Sequence, residues 1–125
     1  MRYAIFCYQA EGEVCAMSKE QDEALMGELL KAQSGIGKKS KIGPVARLMP
    51  TTAAMTVREG RELVVLDGPF AETKEQLLGF YVVECETLED AIEAARKLAE
   101  PRAAVGLRGA LEVRPIHYFD AGAAL

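Results

Sequence analysis

The stretch VVLDGPFAETKE, from Val64 to Glu75, runs from strand formers into Asp67-Gly68-Pro69-Phe70 and then sets Glu72 and Lys74 close behind. An aspartate desolvated in a cleft is held towards its protonated form and can serve as a general acid or base near neutral pH. Glu72 and Lys74 could position a substrate, and Arg114 could grip a carboxylate through two parallel N–H donors. His117, the single histidine, could shuttle a proton at the rim of such a cleft. Each residue also has a plainer reading, and that reading is the default. Asp before Gly and Pro is a turn, with Phe70 anchoring the loop in a core; Glu72 with Lys74 is a surface ion pair; Arg114 pairs with a carboxylate such as Asp67 or Glu72; His117 is an exposed terminal residue.

The remaining reactive side chains assemble into no known motif. Cys7, Cys15 and Cys85 are odd in number and lack a C-x-x-C spacing, so neither a disulfide framework nor a zinc site is indicated. Cys7 and Cys85 fall in strand patterns, where cysteine acts as a small buried hydrophobe; Cys15 falls in a loop. No Ser/His/Asp set, phosphate loop or metal constellation can be built, and no cofactor is expected. Lys38, Lys39 and Lys41 read as charges that block pairing at an edge strand, with an anion site as the alternative.

The elements that would position these residues follow from length and pattern. At 125 residues, half of them hydrophobic and 27% charged, the chain reads as one domain, 1–125, able to build a core without staples, with 120–125 as a frayed tail. A net charge of -4 argues against nucleic acid and against an acidic membrane surface. The amino terminus does not read as a signal peptide and no segment reaches the ~18 apolar residues of a membrane span, so a cytoplasmic location is expected.

Arg2 to Tyr8 alternates as a strand but is apolar on both sides. A polar loop leads to Ser18, which with Gln21 makes a capping box for a helix over about 19–33 that carries Leu25, Met26, Leu29 and Leu30, and Ser34 and Gly35 end it. The glycine- and proline-broken segment after it reads as an edge strand with a loop. Thr52–Arg58 and Arg61–Leu66 form a hairpin about Glu59-Gly60, and Leu77–Glu84 is a second strand apolar on both sides. Thr87 begins a second helix whose apolar face joins Leu88, Ala91, Ile92, Ala95, Leu98 and Ala99; Pro101 stops it, and Leu111–His117 is the last strand.

This order predicts an α+β fold of the ferredoxin-like kind, an antiparallel sheet with two helices on one face. Two helices shelter one side only. With roughly 1.5 to 3 kcal/mol at stake for each large apolar side chain, the second side calls for a cover, and a second copy packed sheet to sheet about a two-fold axis is the economical one. A homodimer is therefore expected.

The motif DGPFAETKEQLLGFYVVEC together with LEVRPI resembles the DGPF group of YCII-related proteins, small bacterial proteins of the dimeric α+β barrel type, over nearly the whole chain from Arg2 to Ile116. The resemblance implies a ferredoxin-like subunit paired sheet to sheet with a cleft beside the DGPF loop. YCII-type relatives are suspected of acid/base chemistry by a histidine, from the segment after the first strand, that meets an aspartate. Here that segment reads QAEGEVCAMS, without histidine, so the dyad does not carry over. Two functions follow as expectations. One is a lyase- or isomerase-type enzyme acting on a small molecule, with Asp67 as the acid/base group and Arg114 and Lys74 orienting an anion. The other is a non-catalytic module that binds a small ligand or docks a protein, linked to transcription through the sigma-factor genes often found beside DGPF-family genes.

Overall fold

A computed structural model describes residues 1–37 and 39–125, so Lys38 of the lysine cluster lies outside the described residues. The elements in chain order are β1 (Arg2–Gln9), α1 (Glu11–Cys15), α2 (Lys19–Ile36), β2 (Ser40–Arg47), β3 (Met55–Arg58), β4 (Val64–Asp67), β5 (Gln76–Cys85), α3 (Leu88–Ala104) and β6 (Gly109–Pro115). Four strands form one antiparallel sheet in the order β2-β5-β1-β6, and β3 with β4 forms a separate hairpin. The α+β, ferredoxin-like expectation holds.

The period of two sorts β1 and β5 onto two faces. Tyr3, Ile5 and Cys7 stand opposite Val83, Tyr81 and Gly79, and this face is buried beneath the helices. Ala4, Phe6 and Phe80 point the other way and are half-buried. The core is continued by Ala91, Ala94, Ala95 and Leu98 of α3, and three alanines in one stripe let that helix approach the sheet closely.

Both helix starts form as the sequence predicts. Ser18 accepts from the Gln21 amide while the Gln21 side chain accepts from the Ser18 amide, and Thr87 accepts from the Asp90 amide. The helix ends differ. α2 runs past Ser34 and Gly35 to Ile36, because Ile36 gains a place in the core that outweighs weak local propensity. α3 runs through Pro101 to Ala104, and its stripe shifts: Ala94 is buried while Leu88 and Ile92 are exposed. The loop expected before Ser18 contains the short helix α1, whose end carries the exposed Cys15; Cys7 and Cys85 are buried, as expected.

β2 is an edge strand, with an irregularity between Ile42 and Val45 where Gly43-Pro44 interrupts the pairing, and Lys39 and Lys41 are exposed beside it. That placement fits the edge-protection reading of the lysines. The hairpin is shorter than expected. Thr51–Ala53 is a 3-10 turn, and Arg58 pairs with Val64, so residues 59–63 make a five-residue connection in place of a tight Glu59-Gly60 turn.

Candidate functional site

The sequence-selected residues lie on the surface and are spread out. Asp67 ends β4 opposite Met55 and is exposed, as are Glu72, Lys74 and His117. Arg114 lies opposite Ala4 on β6, the far sheet edge from β2, and is also exposed. Among the described residues no ion pair joins any two of these five. Gly68 takes the left-handed conformation at φ 92°, its amide donates to the Ala54 carbonyl at 2.8 Å, and its own carbonyl accepts from the Thr56 hydroxyl at 2.8 Å. The Asp-Gly-Pro segment is thus the rigid turn expected of it. Phe70 is not the buried anchor expected: it is 74% exposed and lies beneath the Arg58 guanidinium, 5.5 Å from the ring centre.

A different group of residues surrounds a cavity of about 100 Å³ between α2 and the helix-side face of the sheet. Cys7 and Gln9 reach it from β1, Leu25 and Leu29 from α2, Tyr81 from β5 and Arg102 from α3. The walls are mostly apolar, with a few polar groups placed within them, which is the usual make-up of a small-molecule site.

Of the two arginines that line the cavity, Arg102 is held by neutral partners. Arg102 donates through Nη1 to the Leu98 carbonyl at 2.6 Å and through Nη2 to the Tyr81 hydroxyl at 3.3 Å, and its guanidinium lies 5.9 Å from the Tyr81 ring centre. None of the ion pairs among the described residues involves it. Burial pushes the Cys7 thiol up from its ordinary value, and the charge of Arg102 works in the opposite direction. Burial prevails and favours the neutral thiol.

Gln9 is the second polar feature. It is 5% exposed, and its side-chain oxygen is buried with no hydrogen-bond donor among the described residues. Opposite it Gly109 lacks a side chain, and a Cβ there would collide with the Tyr8 carbonyl oxygen and the Gln9 amide. Glycine at this point of β6 therefore makes room for the Gln9 side chain.

An ion pair borders the cavity. Arg47 of β2 and Asp22 of α2 form a two-pronged pair at 2.8 and 3.1 Å, which raises the arginine's pKa. Both residues also line an outer cleft of about 410 Å³ that reaches Cys15, Met17 and Met49. Among the described residues no group of three or more His, Cys, Asp or Glu side chains could hold a metal.

Sequence reasoning passed over Gln9 and Arg102, though a signal existed for each. Continuing the period of two from Tyr3, Ile5 and Cys7 places Gln9, a polar residue, on the core face. Arg102 was hidden by the expectation that the second helix stops at Pro101, which would put it outside the element that carries it.

Residues 1–120 match the YCII-related domain family. The chain belongs to that family. It is also 47% identical over 123 residues to an uncharacterised protein of Rhizobium meliloti (strain 1021), covering 98% of this chain and 97% of the relative. The YCII-related assignment agrees with the ferredoxin-like strand order and brings no reaction with it.

Proposed function

We propose that this YCII-related protein is a cytoplasmic homodimer that binds a small anionic molecule in the cavity between α2 and the sheet and does no covalent chemistry on it. The observation that carries the reading is Arg102: a half-buried guanidinium with no carboxylate partner among the described residues lines a mostly apolar cavity, whose one carboxylate, Asp22, is paired with Arg47. A bound anion would supply the charge that the chain itself withholds.

The dimer is supported by apolar surface that the single chain leaves open. Phe6 and Phe80 pair on the uncovered sheet face, and Met55, Val57, Val65 and Phe70 of the hairpin and its loop are all exposed. A patch of that kind marks an interaction site in a folded protein. The acid/base reading of Asp67 with Arg114 would depend on the same pairing, because within one chain the two stand on separate sheets, β4 of the hairpin and β6 of the four-stranded sheet, and share no ion pair among the described residues.

Sedimentation velocity tests the dimer, with Phe6→Glu expected to yield a folded monomer. A wild-type monomer at micromolar concentration would refute it. Titration with 3-methylbutanoate, followed by backbone NMR, tests the cavity: shifts are expected at Cys7, Tyr81 and Arg102 and should vanish in Leu25→Trp, which fills the space. Absence of shifts in the wild type would overturn ligand binding there.

A further inference from the structure

The four-stranded sheet has two edges, and they are finished differently. At β2 the Gly43-Pro44 irregularity and the exposed Lys39 and Lys41 oppose the docking of another strand. β6 keeps one register from Gly109 to Pro115 and, among the described residues, pairs with β1 alone. The Ile116 amide donates to the Arg2 carbonyl and the Ala10 amide to the Arg108 carbonyl. In an antiparallel ladder these bonds fix the phase, so the even-numbered residues of β6 turn their backbone groups towards β1. Leu111 and Val113 direct theirs outwards, where no strand meets them among the described residues. The side chains of Glu112 and Arg114 stand on the sheet face away from the helices, opposite Phe6 and Ala4; both are exposed, and neither enters an ion pair among the described residues.

We infer that β6 is a self-recognition edge: it pairs antiparallel with β6 of a second copy about a two-fold axis at Val113, joining the two four-stranded sheets into one. Charge selects that register. With Val113 opposite Val113, each Glu112 faces the Arg114 of the other copy, twice over by symmetry, and opposed residues of an antiparallel pair share a face. A shift of the axis to Glu112 sets that carboxylate against itself, and a shift to Arg114 does the same with two guanidinium groups. A shift by a single residue of one strand would oppose the apolar side chains of one copy to the charged ones of the other. The backbone agrees with the chosen register. Val113 exchanges amide and carbonyl bonds with its counterpart, and the Leu111 amide meets the Pro115 carbonyl, so the lack of an N–H on Pro115 costs no donor that the contact uses. Charges at an edge also serve to keep strands apart, as the lysines of β2 do. Like charges repel every copy, whereas unlike charges set two positions apart attract one in a single register. The contact leaves the Phe6–Phe80 face free, so it adds to the sheet-face dimer proposed above and does not depend on it.

Sedimentation equilibrium of the wild-type protein over a wide concentration range tests the edge. Beyond any unit formed through the sheet faces, a further association step is expected with a dissociation constant of roughly 0.1 mM, the scale of a small polar contact. Hydrogen exchange at the Leu111 and Val113 amides should slow as that step proceeds, while the β2 amides do not change. Glu112→Arg and Arg114→Glu each place like charges opposite one another and should weaken the step at least about ten-fold. Mixing the two variants restores unlike charges at both positions and should recover association to within about three-fold of the wild type; the double reversal Glu112→Arg with Arg114→Glu should do so alone. Phe80→Glu charges the sheet face two strands from the edge, and in it the edge step should persist as monomer to dimer, so failure of the sheet-face pairing and failure of the edge are read separately. Absence of a further step up to about 1 mM would overturn the inference. So would single reversals that associate like the wild type, a mixture that does not recover, or slowed exchange at β2 in place of β6.

Discussion

The two ends of the helix-covered sheet face are built from the same strands and finished in opposite ways. At one end Ile5, Val83, Ala91 and Leu98 are sealed from solvent and packed together. At the other, Cys7, Gln9, Gly79 and Tyr81 border an open cavity under α2. The difference comes from the helices. α3 lays an alanine stripe on β5 and β6, whereas α2 packs chiefly on α3 and holds Leu25 and Leu29 over the sheet without filling the space below. A close-packed end supplies stability and a hollow end supplies a place for a ligand, so the two should respond differently to the same kind of damage.

Truncating a leucine at each end gives the largest contrast. Leu98→Ala removes a side chain with no exposure from the packed end and should cost about 2 to 5 kcal/mol, much of a small domain's stability. Leu29→Ala enlarges a space already present, where the side chain has lost partners on one side, and should cost less than about 2 kcal/mol. Urea denaturation of the two variants decides this. Equal losses would mean that the hollow end is packed as tightly as the other.

Helix caps offer a smaller perturbation of the same comparison. Ser18→Ala and Thr87→Ala each remove a side-chain acceptor from a helix start and should each cost about 1 kcal/mol. Their local effects should diverge. Loss of the Ser18 cap is expected to speed hydrogen exchange in the first turn of α2, beside the cavity and the Asp22–Arg47 pair, and loss of the Thr87 cap in the first turn of α3 alone, while the α3 amides around Leu98 stay protected in both variants. Acceleration spread evenly over both helices would show that the two ends open as one unit.

What the sequence discloses follows the same division. The elements are legible because each repeats a signal: alternation in β1 and β5, the Ser18 and Thr87 caps, and apolar spacing in both helices. The strand order follows from those elements and the rules for joining them. The hollow end is not legible, because a cavity leaves no pattern of its own; it is a mismatch between a helix and a sheet that only three dimensions reveal. Gln9 on a core face is a readable anomaly, but it stands one residue beyond the apolar alternation that marks the strand. Pro101 misled in a similar way, since tertiary packing carries α3 beyond a residue that breaks isolated helices. The eye-catching polar residues of the DGPF loop drew attention for a local reason, turn formation, which the Gly68 geometry satisfies without any chemistry.

The gentlest probe is acid, and it acts on the hollow end through α1. Val14 of that short helix lines both the cavity and the outer cleft, and α1 is pinned by the Glu11 carboxylate, which accepts from the Thr51 amide at 3.0 Å and from the Thr51 hydroxyl. Those bonds hold the Glu11 carboxyl below the usual carboxylate range, and Arg108 does the same for Glu13. A pKa lowered by folding stabilises the native state above the unfolded value, near 4.3 for glutamate, and that contribution is lost as pH falls through the native value. Glu11→Gln keeps the shape and removes the ionisation. It should therefore lower stability slightly at pH 7, less than a cap variant does because the site is partly in solvent, and the difference from wild type should close below pH 4. In wild-type protein, NMR signals of Val14 should shift over that acid window while those of Ile5, under α3, hold still. If Ile5 moves in step with Val14, acid is unfolding the whole domain and the two ends are not separable by this route.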